Sequence, residues 1–274
     1  MNPAGQPYYM LSAEGHYVPT IHTQGPWSKV DQHGGPPMAL LAHVIDQQIP
    51  LAGKFATRLS FDILGPVRIE PFDIEVSMVR DGRNISLLSA SLMQAGRVAM
   101  MASVWRVSVE ENVVAYGAST APKDTVALPP ALSLDPGGQQ GGGADGGINT
   151  FGYGQASDWF FSSGSFLEPG PALVWNRVRR PLLGEEFATA TERALLLADA
   201  GSGVGAALPW DKFAFPNVDL TMHISRPPRG DWLGVDARTW IGGTGSGMAV
   251  SALLDEEGRF GTACQSLFVR RRQR

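Results

Sequence analysis

The chain contains its own structure twice. ILGP at 63–66 returns as ISRP at 224–227, 161 positions later, and AGRVAMMASVWRV at 95–107 falls, with one further residue of shift, on EGRFGTACQSLFV at 257–269. In both halves these segments follow an apolar stretch of helical character, so two copies of one fold account for the chain better than chance similarity does.

In the first half, HGGPPMALLAHVIDQQIP places Gly34 and Gly35 ahead of Pro36 and Pro37. A helix tolerates proline in its first turn because the amides there lack intrahelical partners. Leu41, Val44, Ile45 and Gln48 follow at helical spacing and predict a helix of about three to four turns. ATRLSFDILGPV, PFDIEVSMVRDG, RNISLLSASLMQAG and RVAMMASVWRVSV come next, rich in alternating β-formers and separated by Pro, Asp-Gly and Ala-Gly turns. They predict a four-stranded antiparallel meander. In the second half Thr189 and Glu192 form a T-x-x-E capping box, the helix runs through ALLLADA, and Gly201 and Gly203 are expected to stop it. NVDLTMHISRPP, DWLGVDARTWIGG, GSGMAVSALLDEEG and RFGTACQSLFVRR then repeat the strands. Residues 121–150, crowded with Pro, Gly, Gln and Asp, carry almost no periodic apolar signal. They read as a linker between units at 1–120 and 151–274.

An apolar helix beside four long strands buries itself only if the sheet curls around it, which makes the class α+β. Two such units with merged sheets, and a ββα sandwich without sheet continuity, both satisfy this pattern. With 43% hydrophobic and 18% charged residues the chain can fill a core of either kind. A net charge of −4 and a pI near 5.7 leave no basic field to hold a phosphate backbone, so nucleic acid is excluded as a general partner. The closing VRRRQR reads as a solvated basic tail. The N-terminal residues lack a basic segment followed by an apolar run, and no stretch approaches the roughly 18 apolar residues of a membrane span. A cytoplasmic protein without a membrane span is the expectation. The single cysteine, Cys264, rules out an internal disulfide and a thiolate-rich metal site, and reads as a small buried strand residue. His16, His22, His43 and His223 lack metal-ligand spacing, so no metal is expected. GGTGSGM at 242–248 lacks the Lys-Ser/Thr of a phosphate loop and joins two strands, which makes it a hairpin turn.

Taken in order, HGGPPMALLAHVID, FDILGPV, VRDGRNISLLSASLMQAGRVAMMASVW, DWFFSSGSFLEPGPALVWNRVRRPLLGEE, ADAGSG, FPNVDLTMHISRP and TACQSLFVR resemble the acyl-CoA thioesterase II family and its thioesterase-like relatives. The resemblance covers all but the first twenty or so residues and the linker, and it implies a double hotdog: two tandem units, each a curved antiparallel sheet wrapped around a long central helix. It also implies hydrolysis of a fatty acyl-CoA by water that an aspartate activates, with a Thr or Ser and a Gln to orient it. Asp199 in ADAGSG matches the aspartate and Gln265 in TACQSL the glutamine. The hydroxyl position falls on Asn217 in FPNVDLT, a departure that keeps an amide able to donate and accept.

A thioester is already activated, because sulfur delocalises poorly into the carbonyl, so an oriented water, a base and an oxyanion donor suffice and no cofactor is required. Burial by ALLLA is expected to raise the pKa of Asp199 and so improve it as a base. Residue types alone allow a bland alternative for each of the three: a polar helix end for Asp199, a turn cap for Asn217, a strand cross-link for Gln265. The amides at His33, Gly34 and Gly35, ahead of the first helix, are candidate oxyanion donors, with the glycines allowing close approach of substrate to backbone. Arg80 and Arg83, flanking the Asp81-Gly82 turn, are candidates for the nucleotide phosphates of CoA. Met100, Met101 and Trp105 are candidates to line an acyl tunnel. Three rivals fit the same residues: a hydratase, which would pair His33 or His43 with an acid; a lipid-binding module without turnover; and a structural assembly protein. Edge strands left by two paired units predict a homo-oligomer.

Overall fold

The computed structural model describes residues 5–110, 128 and 147–272. Most of the 121–150 linker expectation lies outside the described residues. A short hairpin, β1 (Tyr9–Leu11) and β2 (Tyr17–Pro19), leads into helix α1 (Gly35–Gln48). The GGPP prediction is met: the helix starts at Gly35 with both prolines in its first turn, and it is buried from Gly35 through Ile45. Strands β3 (Lys54–Ile63), β4 (Asp73–Asp81), β5 (Ile85–Gln94) and β6 (Arg97–Ser108) follow. Past the linker come the one-turn helix α2 (Gly152–Gln155), β7 (Ser157–Ser163), β8 (Ala172–Val178), helix α3 (Ala190–Ala198), the short helix α4 (Gly201–Val204) and β9 (Phe213–Ala214). The chain then runs through β10 (Asp219–Ile224), β11 (Leu233–Ile241), β12 (Ser246–Asp255), β13 (Gly258–Phe268) and β14 (Arg270–Arg271).

Ten strands make one antiparallel sheet in the order β4-β5-β6-β3-β10-β13-β12-β11-β8-β7. The expected meander is therefore corrected: β4, β5 and β6 are hairpin-linked, but β3 lies beside β6 and not beside β4, and β10 repeats this next to β13. That order puts β3 and β10 at the centre, where the halves merge. Their ladder pairs Ser60 with Thr221, whose hydroxyls lie 3.1 Å apart. Since 221 − 60 = 161, residues equivalent under the repeat face each other at a pseudo-two-fold axis. Both halves also carry a bulge where the last hairpin bends. Ala99 is the extra residue between Met100 and Val98 opposite β5, and Phe260 the extra one between Gly261 and Arg259 opposite β12. These too are 161 apart, so the one-residue shift read from AGR and EGR does not hold in the strands.

Alternation sends Ser86, Leu88, Ala90, Leu92 and Gln94 of β5 inward, and Ala263, Gln265 and Leu267 of β13 likewise. Helix α1 packs on β4 to β6, α3 packs on β11 and β12, and the helices pack on each other. They run antiparallel: Gly35 at the start of α1 sits against Leu196 near the end of α3, and His43 farther along α1 meets Glu192 in the first turn of α3. Cys264 contradicts its expectation, since it points out of the sheet and is exposed. GGTGSGM does form the turn between β11 and β12, with Gly242 N–H donating to Ser246 O.

Candidate active site

Helix α3 begins as its capping box predicts: Thr189 Oγ1 accepts from Glu192 N–H at 3.4 Å, and Glu192 Oε2 accepts from Thr189 N–H at 2.7 Å. Leu195, Leu196 and Leu197 bury its last turns, and the helix ends at Ala198 with Asp199 as C-cap. Gly201 and Gly203 do not terminate the chain's helical path as expected. They lie inside α4, a further turn that ends at Gly205. The close approach explains Gly201, since a Cβ there would collide with Ser251 Oγ.

Asp199 is 4% exposed, and its carboxylate is enclosed by donors from both halves of the chain. Asn217 Nδ2 donates to Oδ1 at 2.7 Å, Gln265 Nε2 approaches Oδ1 at 3.4 Å, and His33 Nδ1 lies 2.9 Å from Oδ2. Nδ1 must carry its proton, because a bare ring lone pair facing a carboxylate oxygen would be repelled. Burial pushes the Asp199 pKa up, but His33, first through its charge and then its hydrogen bond, the Asn217 amide and the Gly35 backbone N–H outweigh it, and the net shift is downward. The expectation of a raised pKa is corrected. Its physical basis was incomplete: the carboxylate closes the negative end of α3, yet it also faces the positive N-terminal end of α1, which the antiparallel packing brings to it.

The glycines make that approach possible. A Cβ on Gly34 would sit 2.8 and 2.9 Å from the two Asp199 oxygens, and one on Gly35 would sit 2.7 Å from Leu196 O. The Gly35 N–H serves the Asp199 carboxylate, and Pro36 and Pro37 have no N–H, so the Gly34 amide is the donor left at this helix start without a backbone partner among the described residues.

Gln265 does what a strand cross-link would do and also touches the acid. Its Oε1 accepts from Ser202 N–H at 3.0 Å and its Nε2 donates to Asp199 O at 3.1 Å, which ties the α3–α4 break to β13. Asn217 forms an isolated bridge with Leu267 just before β10 and also donates to Asp219 O at 3.3 Å, leaving its Oδ1 free of partners among the described residues. A cavity of about 400 Å³ opens over Asp199 and Asn217, walled by His33, Gly34, Ile63 and Met100 among others. Met100 points inward and lines it, whereas Met101 is exposed and Trp105, on the same strand face as Met101, also points away. These two are not tunnel residues. Arg80 and Arg83 are likewise displaced: Arg80 pairs with Leu87, which pairs with Trp105, five residues along β6 from Met100, or about 17 Å. Both are exposed at the far end of the sheet.

His43 is absent from the cavity wall. Its Nδ1 meets Glu192 at 3.2 Å, and that hydrogen bond, against the opposing effect of burial and with the charges of Glu192, Glu186 and Asp46, raises its pKa. Three neighbours of the site escaped sequence reasoning. Tyr153 of α2 stacks flat on His33, ring centroids 3.9 Å apart, and its hydroxyl donates to Leu196 O at 2.6 Å. Trp27 and Trp210 stack on each other at the cavity rim, 4.7 Å apart. Each lies in an irregular segment or single turn, where no periodicity announces a role.

A sheet shared by two helix-bearing halves, with an acid held among amides and an imidazole at the junction, defines a tandem hotdog-fold protein with a buried polar site between its halves. The chain belongs to the acyl-CoA thioesterase family: the N-terminal domain model of that family matches residues 23–107, and the C-terminal domain model matches residues 127–269. Among solved structures it is similar to a hot dog fold protein of unknown function from Alicyclobacillus acidocaldarius (17% identity, 93% of this chain and 92% of that one, TM-score 0.71). It is similar also to acyl-CoA thioesterase II TesB2 from Mycobacterium marinum (16%, 92% and 96%, 0.66) and to a TesB protein from Mycobacterium avium subsp. paratuberculosis (14%, 93% and 92%, 0.67). No curated protein matches the sequence. Among the described residues, no helix is long and apolar enough to cross a membrane.

Proposed function

We propose that Asp199 is the base that activates water against the thioester carbonyl of an acyl-CoA. The observation that supports this best is the convergence on one buried carboxylate of Asn217, Gln265 and His33, the first two being the positions matched to the family's orienting pair. Water would enter where Gln265 makes the longest contact, at 3.4 Å, and give its second hydrogen to Asn217 Oδ1. Its oxygen attacks the carbonyl carbon while its first proton passes to Asp199. The developing oxyanion takes the Gly34 N–H, and collapse expels the CoA sulfur, which recovers the proton from Asp199 as the free acid leaves. With its pKa lowered, Asp199 is ionised throughout the neutral range, so its efficiency comes from fixed geometry more than from basicity.

The 2.9 Å contact to His33 favours a second arrangement for the same hydrolysis, in which Asp199 holds Nδ1–H and His33 Nε2 takes the proton from water. The same contact would serve a hydratase, so the family match, and not the pairing, argues for hydrolysis. The two arrangements differ in what loss of the imidazole does: an Asp199 base keeps measurable turnover in a His33→Gln variant, and a His33 base loses it. Free-thiol release from acyl-CoAs of graded chain length, with Asp199→Asn and His33→Gln variants, is the assay. An Asp199→Asn enzyme as fast as the parent removes both arrangements, and no release from any chain length removes hydrolysis in favour of acyl-CoA binding. A homo-oligomer in the cytoplasm goes with this proposal, and light scattering checks the first of these.

A further inference from the structure

We propose that the cleft and the arginine groove beside the Asp199 cavity together hold the nucleotide end of coenzyme A, with the purine on the Trp27 shelf and the phosphates on Arg271 and Arg272. The location of the thioester end rests on the hydrolase reading above. Residues 270–272 of the basic C-terminal segment are exposed as the sequence suggests, but they are not a free tail. Strand β14 pairs with β9, Arg270 opposite Ala214 and Arg271 opposite Phe213, and Arg272 is fastened beyond it by its N–H to Lys212 O and its Nε to Phe213 O. Three successive arginines are thus fixed in place while exposed. Among the described residues none of the three forms an ion pair, whereas Arg68, Arg106, Arg177, Arg226 and Arg229 each do.

These cations border an aromatic wall. Trp27 stacks on Trp210, meets Phe215 edge-on at 5.0 Å, and carries the Arg272 guanidinium 5.6 Å from its ring centroid. The cleft lined by Trp27, Trp210, Phe151, Phe166, Lys29 and Arg272 encloses about 740 Å³, within the range of small-molecule sites, and Asp211 is the acid on its wall. A second groove of about 370 Å³ is lined by Trp27, Ala214, Pro216, Arg270, Arg271 and Arg272. Trp27 walls both of these and the Asp199 cavity as well, while Arg270 and Pro216 are shared by the Asp199 cavity and the arginine groove. The three hollows therefore adjoin around Trp27, which links the carboxylate cavity to the arginines. A ligand that suits them has a neutral reactive end, a slender arm and a planar heteroaromatic carrying several phosphates. Guanidinium groups bind phosphate oxygens in pairs, and indole faces stack on purines. An acidic protein surface would use the arginines but has no need of a concave aromatic cleft, so the nucleotide is the better match.

The test compares an acyl-CoA with the N-acetylcysteamine thioester of the same acid, which lacks the nucleotide, in the parent and in an Arg271→Gln, Arg272→Gln double variant. The ratio of the two kcat/KM values does not depend on the fraction of folded protein, and the double variant should lower it about tenfold. Adenosine 3′,5′-bisphosphate, titrated by calorimetry without any turnover, should bind the parent, weaken with salt, and bind the variant about tenfold more weakly. An unchanged ratio, or equal bisphosphate affinity in both proteins, overturns the proposal. So does a variant impaired only on thioesters borne by an acidic carrier protein, which would make the arginines a protein-docking strip. If the bisphosphate binds through the arginines but no thioester is cleaved, the hydrolase reading fails and the nucleotide site stands.

Discussion

Replacing Gly34 by alanine tests how the two helices and the acid are fitted together. Gly34 has φ −68° and ψ −27°, which alanine adopts without strain, so any effect comes from the added carbon and not from the backbone. That carbon would stand 2.8 and 2.9 Å from the Asp199 oxygens and 3.1 Å from its Cγ, short of comfortable contact by about 0.5–1 Å. Either α1 retreats or the carboxylate swings away from Asn217 and His33. Overpacking of this kind costs about 1–3 kcal/mol, and misplacing a catalytic group by about 1 Å costs on the order of 10²-fold in rate. Thermal melting should show the first and thiol release from an acyl-CoA the second. Gly65→Ala is the control, since Gly65 walls the same cavity but has nothing within 4 Å of its added Cβ. A Gly34→Ala enzyme with the rate and melting temperature of the parent would refute the close fit of helix start to carboxylate.

Asp199 has a folded-state pKa below its ordinary 3.8, so its ionised pairing adds stability that is complete above that value and disappears as pH falls through the folded pKa. The melting-temperature gap between parent and Asp199→Asn should accordingly be constant from pH 7 to 5 and narrow below 3.8. His43 has the opposite sign. Its pKa is raised from 6.5, so its pairing with Glu192 stabilises below 6.5 and is lost as pH rises through the folded value, and His43→Gln should flatten the melting curve between pH 6 and 8. Asn217→Asp would put a second carboxylate where the amide now donates at 2.7 Å. Thiol release should drop on the order of 10²-fold at pH 7, with partial recovery at lower pH as the pair takes up a proton.

Local sequence carried much of this. The GGPP start of α1, the Thr189 capping box and the facing of Gln265 with Ala263 and Leu267 depend on neighbours within a few residues, and all could be read directly. The repeat went further, because an offset of 161 identifies Ser60 and Thr221 as equivalents before any ladder is drawn. It misled in one respect: matching AGR to EGR aligned turn glycines, and that extra residue of shift would have exchanged the faces of a strand whose side chains alternate. Met101 was misjudged for a related reason, since adjacent methionines on a strand necessarily face opposite ways and only burial says which is inside.

What the chain determined by itself is a duplicated α+β unit and two helix starts, while Asp199, Asn217 and Gln265 were singled out by the family resemblance and not by their residue types. Tertiary structure decided the rest: that β3 lies beside β6, that β7 and β8 extend the sheet, and that Arg80 sits far from the acid while Arg272 lies on Trp27. It also decided the sign of the Asp199 shift. A carboxylate at the end of its own helix is placed unfavourably by everything adjacent in sequence. Of the groups that reverse this, His33 and the Gly35 amide lie more than 160 residues away and reach it only because two helices pack antiparallel through a pair of glycines.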